Sequence, residues 1–250
     1  MSLQGKSFFV TGGNSGIGLA TAILFAREGA NVAIFARSAD RNETARLRIE
    51  QEGGRCLTFP GDVTDEQSVS YAVAETYRRF GGLHYGFNNA GAQQRLVSLM
   101  EASLAEYEEQ FAVNVKGTFL GMKYMIPAII ASGGGAVCNN ASAAGLVPSA
   151  QQTLYAAAKF AVVGMTKGAA LEYAEHGVRV NVVCPGATSG EMFLKFQAQY
   201  PERAAAALDK HALRRIGDKE EVASAVLYLC RDATFTTGHA FTVDGGRTLR

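Results

Sequence analysis

The 250-residue sequence has no long run of like charge, no Cys-x-x-Cys pair and no clustered histidines. Each absence excludes a class of function. Twenty-four basic and 23 acidic residues leave a formal net charge of +1, which argues against nucleic acid or a charged membrane surface as a partner. Arg78-Arg79 and Arg214-Arg215 are isolated doublets and read as solvated helix faces. Cys56, Cys138, Cys184 and Cys230 form no metal or redox motif, and three lie in apolar runs. They are expected to be buried free thiols in a reducing, cytoplasmic setting. His84, His176, His211 and His239 lack ligand spacing, so no metal is expected. Phe8-Phe9-Val10 is too short for a signal-peptide core. Residues 124–158 carry no charge, yet Gly133-Gly134-Gly135, Asn139-Asn140, Pro148 and Gln151-Gln152 break the stretch. It therefore reads as the dry middle of a domain rather than a membrane span.

Within these limits the sequence has 48% apolar residues, enough for a substantial core. Short β-branched or aromatic runs alternate with longer helical stretches. Strands are predicted at Ser7–Val10, Asn31–Phe35, Cys56–Phe59, His84–Phe87, Ala136–Asn139, Val178–Val183 and Ala240–Val243. Helices are predicted at about 16–29, 40–52, 65–80, 103–131, 153–175 and 218–230, with Asp40, Thr64 and Ser103 as N-caps. Glu106 completes a capping box with Ser103. This alternation predicts an α/β fold, a parallel doubly wound sheet covered by helices on both faces. No linker, repeat or low-complexity segment interrupts it, so residues 1–250 are read as one domain.

Two motifs carry chemistry. Thr11-Gly-Gly-Asn-Ser-Gly-Ile-Gly18 follows the first strand and opens the first helix. Its glycines turn the chain tightly and let backbone N–H groups approach a pyrophosphate, which a helix N-terminus also favours. No lysine follows Gly18, so it is not a P-loop. Tyr155-Ala-Ala-Ala-Lys159 places a phenol and an ammonium on one helix face. A tyrosine titrates near ~10; lowering that by ~3 units needs ~4 kcal/mol, about what an ammonium supplies at ~4 Å with an effective dielectric of ~20. Ser142 lies thirteen residues upstream of Tyr155.

Together with Asp62-Val63, Asn88-Asn-Ala-Gly91, Asn114, Pro185-Gly186 and Val243-Asp-Gly-Gly246, these motifs resemble the short-chain dehydrogenase/reductase family in its compact form. The resemblance spans nearly the whole chain and implies a seven-stranded Rossmann-like sheet binding a nicotinamide dinucleotide. By position it implies that Gly12, Asn14, Ser15, Gly16, Ile17 and Gly18 form the phosphate loop. Asp62 and Val63 would meet the adenine, and Asn89, Ala90 and Gly91 would run beside the adenosine ribose and pyrophosphate. Tyr155 would be the acid or base, Ser142 would hydrogen-bond the reacting oxygen, and Lys159 would lower the tyrosine pKa and bind the nicotinamide ribose. Asn114 would anchor a water linking Lys159 to solvent. Pro185, Gly186 and Thr188 complete the cofactor side, although Gly190 stands where relatives commonly place a threonine.

Ala36 occupies the position where NAD-preferring relatives carry an aspartate, and the adjoining Arg37 can fork onto a phosphate. NADP(H) is therefore favoured over NAD(H). A lid is expected at about 187–212, including an Ala-rich helix at Arg203–Leu208. Its Met192, Phe193, Leu194 and Phe196 suit a moderately hydrophobic ketone or secondary alcohol. A homotetramer, or a homodimer, follows from the resemblance. The alternative function is a dinucleotide sensor of the same fold without turnover.

Overall fold

The computed structural model describes residues 2–249. Seven strands form one sheet in the order β3-β2-β1-β4-β5-β6-β7. They are β1 (Ser7–Thr11), β2 (Asn31–Ala36), β3 (Cys56–Pro60), β4 (Tyr85–Asn88), β5 (Gly135–Asn140), β6 (Val178–Pro185) and β7 (Ala240–Val243). All six pairings are parallel. Every strand lies within two residues of its predicted bounds, because each is a short apolar run closed by a turn. The nine α-helices among the described residues are α1 (Gly16–Arg27), α2 (Ala39–Glu50), α3 (Glu66–Phe80), α4 (Leu104–Phe111), α5 (Gly117–Ala131), α6 (Thr153–Tyr173), α7 (Glu191–Gln199), α8 (Pro201–Lys210) and α9 (Lys219–Leu227).

Side chains alternate across a strand, and β1 shows the consequence. Phe8 and Val10 join a buried cluster with Phe25, Ile34, Val222 and Val226, beneath α1, α2 and α9. Phe9 faces the other way, packing with Phe35, Val69, Leu120, Met125 and Ile129 beneath α3 and α5. The strand order reverses between β1 and β4, so a crevice opens at their carboxyl ends. No helix among the described residues is long and apolar enough to cross a membrane.

Helix boundaries depart from expectation where side chains have other partners. Ser38, not Asp40, caps α2, and Asp65, not Thr64, caps α3. The Thr64 hydroxyl is taken up locally, donating to Asp62 Oδ1 at 2.8 Å. The Ser103–Glu106 box forms as predicted, and a second box, Asp218–Glu221, opens α9. The expected long helix at 103–131 is divided by a π-turn at Ala112–Lys116. The stretch expected to hold one short helix forms two, α7 and α8. They are separated at Tyr200 because the residue before Pro201 is forced toward extended backbone.

A file of polar side chains crosses the core. Asn88 Nδ2 donates to Asn139 Oδ1 at 2.9 Å, and Asn139 Nδ2 donates to Thr166 Oγ1 at 2.9 Å. On α5, a Cβ at Gly121 would lie 1.8 Å from Asn88 Oδ1. Gly121→Ala should therefore lower stability by roughly 1–3 kcal/mol in urea denaturation. An unchanged midpoint would mean that Asn88 can move aside.

Candidate active site

At the end of β1 the chain turns through Gly12, at φ +64°, into α1. A Cβ on Gly18 would come within 2.3 Å of Gly12 O and 2.5 Å of Asn89 Nδ2. Close backbone approach therefore requires glycine there. Asn89 Nδ2 donates to Thr11 O at 3.1 Å and to Gly12 O at 3.2 Å, which ties the turn to the end of β4. Thr11 Oγ1 accepts from the backbone N–H groups of Asn89 and Ala90, both at 3.0 Å. The first turn of α1 carries no side-chain cap from Ser15, so its N–H groups point at the crevice with the positive end of the helix dipole. Asn14 Nδ2 donates to Asn42 Oδ1 at 2.8 Å, and the buried Asn42 in turn donates to Ala36 O at 2.9 Å. No sequence motif distinguishes Asn42.

Beyond β2, Arg37 is exposed and makes no hydrogen bond or ion pair among the described residues, whereas Arg41 is paired with Glu191. Asp62 Oδ1 accepts from Thr64 N and Oγ1, both at 2.8 Å, and Val63 is buried.

Tyr155 and Lys159 stand one turn apart on α6, with the Lys159 ammonium 5.7 Å from the Tyr155 ring centroid. Lys159 is 4% exposed, and its Nζ donates to Asn140 O, the last residue of β5, at 2.9 Å. Burial pushes the ammonium down to about 8. Burial also raises the Tyr155 phenol above its ordinary value, and the Ser142 hydroxyl only partly opposes this. The phenol is thus not depressed by the ammonium, as the sequence had suggested. The ammonium sits over the ring and is committed to a carbonyl. Ser142 follows β5 and accepts from Ala144 N at 3.1 Å.

Asn114 lies at the centre of the π-turn, fully buried. Its Nδ2 donates to Ala92 O at 3.0 Å and Gln110 O at 3.1 Å, and its Oδ1 accepts from Ala92 N at 3.2 Å. A Cβ on Gly91 would meet Asn114 Oδ1 at 2.9 Å and Lys159 Nζ at 3.4 Å, so these groups converge on one backbone point. The buried Gln94 accepts the Tyr155 N–H at 3.0 Å.

The loop after β6 is held by another residue that sequence reading set aside. His211, at the end of α8, is 3% exposed; its Nε2 accepts from Ala187 N at 3.1 Å and its Nδ1 donates to Ala207 O at 2.6 Å. Those partners select the neutral imidazole with the proton on Nδ1. Thr188 Oγ1 donates to Gly186 O at 3.1 Å, and Gly190, at φ +150°, opens α7. One cavity of about 710 Å³ is lined by Gly12, Asn14, Ser15, Gly16, Ile17, Arg37, Asp62, Val63, Asn89, Ala90, Gly91, Asn114, Ser142, Tyr155, Lys159, Pro185, Gly186 and Thr188. Gly18 and, of the expected lid residues, the exposed Leu194 are not part of the lining.

Comparison with known proteins agrees with this geometry. The family model described as enoyl-(acyl carrier protein) reductase matches residues 12–248. The chain is similar to 2,5-dichloro-2,5-cyclohexadiene-1,4-diol dehydrogenase of Sphingobium indicum, 41% identical over 249 residues and covering 98% of each protein. It is also similar to cyclohexanol dehydrogenase of Acinetobacter sp. strain SE19, 37% identical over 98% of this chain and 96% of that protein. Among solved structures, NAD+-bound xylitol dehydrogenase superposes with a TM-score of 0.94 at 28% identity, covering 98% of this chain and 100% of that one. ElxO with NADP bound gives 0.91 at 29% identity, covering 98% and 99%.

The depressed Lys159 pKa has a signed consequence for stability. Between about 8 and the ordinary 10.5 the unfolded chain holds a proton that the folded chain has released, so stability rises with pH across that window. Below about 8 the buried charge detracts from stability. The Cys56 and Cys230 thiols, raised by burial, titrate in the opposite sense but equally with and without the lysine, whereas Lys159 itself partly opposes the rise at Cys184. Lys159→Met should therefore gain most over wild type near neutral pH, with the difference closing toward pH 10.5 in urea titrations. A difference that stays flat with pH would contradict the depressed value.

Proposed function

The chain belongs to the short-chain dehydrogenase/reductase family, and we propose that it moves a hydride between NADP(H) and a cyclic ketone or secondary alcohol of moderate hydrophobicity. Membership makes it an NAD(P)-dependent oxidoreductase acting on small alcohols or ketones. One observation carries the finer reading: Tyr155, Lys159 and Ser142 line the same cavity as the glycine turn.

The residues present fit a dinucleotide. The turn at Gly12 and Gly18 leaves no room for a Cβ, and Asn140 Oδ1 is a buried acceptor with no donor among the described residues. Both suit a ligand with phosphates and many hydroxyl groups. Gly12 to Ile17 and the α1 N-terminus would hold the pyrophosphate, Asp62 and Val63 the adenine, and Asn89 to Gly91 the adjoining ribose. Lys159 would hold the nicotinamide ribose, with Pro185, Gly186 and Thr188 flanking that end. When bound, the dinucleotide gives or takes the hydride.

The chain's own groups manage the proton. Burial keeps the Tyr155 phenol protonated at neutral pH, the form that donates to a carbonyl oxygen as charge develops there. Ser142 donates a hydrogen bond to the same oxygen and steadies that charge. Asn114, beside Lys159 at the Gly91 backbone, would anchor the water through which Lys159 exchanges a proton with solvent.

The substrate reading is supported by Leu96, Val113, Met192, Phe193 and Phe196 in the cavity wall. Two relatives are also named for dehydrogenation of a cyclohexadienediol and of cyclohexanol. Residues 187–212 would act as a lid on the one domain of residues 1–250; α7 has no buried residue and α8 only Ala204. The proposed assembly is a homotetramer, supported by exposed Leu104, Tyr107, Phe119 and Phe160 on α4, α5 and α6. The NADP(H) preference rests on Ala36 and on Arg37, which has no carboxylate partner among the described residues.

Two measurements test this. Tyr155→Phe should retain dinucleotide binding and lose about 10²- to 10⁴-fold in turnover of cyclohexanone with NADPH; near-normal turnover would remove Tyr155 from the chemistry. Arg37→Ala should raise KM for NADPH by roughly tenfold or more while changing KM for NADH little. A wild type that prefers NADH would overturn the cofactor choice.

A further inference from the structure

Four arginines line the cavity: Arg37, Arg41, Arg203 and Arg247. Arg41 is neutralised by Glu191, and Arg37, following β2, stands at the phosphate-binding end. The other two come from elements remote in sequence, Arg203 from α8 and Arg247 from the helical turn Arg247–Leu249. Both fasten one short segment. Arg203 Nη2 donates to Gln151 Oε1 at 2.6 Å, and Arg247 Nη2 donates to Ser149 Oγ at 2.9 Å. Ser149 and Gln151 lie six and four residues before Tyr155, at the entry to α6.

That segment has a defined shape. Gln151 adopts φ +67°, uncommon for a residue other than glycine, and its carbonyl accepts from Val97 N at 3.0 Å. Each guanidinium thus has a neutral partner that orients it and, among the described residues, no carboxylate that neutralises it. Arg95, Arg214 and Arg215 differ, being paired with Glu106, Asp209 and Glu221. Asp244, three residues before Arg247, spends its oxygens on the N–H groups of Gly246 at 3.0 Å and Thr248 at 2.8 Å. Lys195 and Lys210 add two further cations to the wall, while Glu109 on α4 lines the cavity with no ion pair to any of them among the described residues.

Resting on the reading of this cavity as a ketone site, we propose that its substrate carries a carboxylate, gripped by Arg203 and Arg247 while the carbonyl lies at Tyr155 and Ser142. A planar guanidinium matches a carboxylate with two parallel N–H donors, and two guanidinia from separate elements fix its direction. The apolar side chains of the cavity wall suit a carbocycle joining the two groups. The substrate class is a cyclic keto or hydroxy acid, with the acid group turned toward the segment that leads into α6.

The test compares 4-oxocyclohexane-1-carboxylate with neutral 4-methylcyclohexanone, using wild type, Arg203→Gln, Arg247→Gln and the double variant. Turnover is followed with NADPH and binding by calorimetry on the NADP+-loaded protein; circular dichroism and NADP+ affinity verify that each variant is folded. Wild type should prefer the keto acid by about tenfold or more in kcat/KM, given one or two charge-assisted hydrogen bonds at a partly exposed site. Added salt should shrink that preference, and the double variant should lose it. Equal kcat/KM for the two ketones in wild type, or equal losses on both in the variants, overturns the proposal. If neither ketone turns over, binding decides separately. Keto-acid binding present in wild type and lost in the double variant upholds the carboxylate site while removing the ketone-reduction reading. Wild-type binding no tighter for the keto acid than for the neutral ketone overturns the site.

Discussion

The buried ammonium of Lys159, held by the Asn140 carbonyl at 2.9 Å, is the constraint around which this end of the molecule is arranged. A charge taken out of water is tolerated only where oriented dipoles replace the lost hydration. Strand β5 supplies one such dipole from its final residue, and the backbone at Gly91 must stay bare because Lys159 Nζ and Asn114 Oδ1 crowd it. The π-turn at Ala112–Lys116 follows from the same demand. An extra residue in the turn places Asn114 where its amide both donates to and accepts from Ala92. π-turns recur at functional sites because they aim a side chain that a regular helix would point elsewhere.

The same carbonyl belongs to a residue whose side chain reaches the opposite end of the crevice. Asn140 Nδ2 donates to Asn89 Oδ1 at 3.0 Å, and Asn89 donates onward to Thr11 O and Gly12 O. Amides at the carboxyl ends of β5 and β4 thus couple the lysine to the glycine turn after β1. The three strands adjoin at the point where strand order reverses. A shift of the glycine turn would have to break this chain or drag β5 with it. The two ends of the cavity are thus joined by hydrogen bonds, while α7 and α8 are nearly free of buried side chains, as segments of low local stability are.

Strands were legible in the sequence because a buried parallel strand is a local signal, a short apolar run closed by turns. The glycine turn and the Tyr155/Lys159 spacing were legible for the same reason, both being set within a few residues. What escaped was decided between distant segments. Gln94 caps Tyr155 from 61 residues away, and His211 holds Ala187 from 24. Neither lies in a pattern that spacing could reveal. The capping errors at Asp40 and Thr64 have a nearer cause, since several polar residues competed at each helix start. The winner depended on which side chain was already engaged, as Thr64 is with Asp62.

Burial acts in opposite directions on the phenol and the ammonium, since each resists its charged form. The Tyr155 pKa moves up from an ordinary value of 10.0, while that of Lys159 moves down to about 8. As pH rises from neutrality, the lysine therefore gives up its proton before the tyrosine does. A coulombic account from spacing alone reaches the reverse order, because it counts the attraction and omits the desolvation of both partners. The protein's own groups thus set a protonated phenol one helical turn from a lysine whose charge burial disfavours.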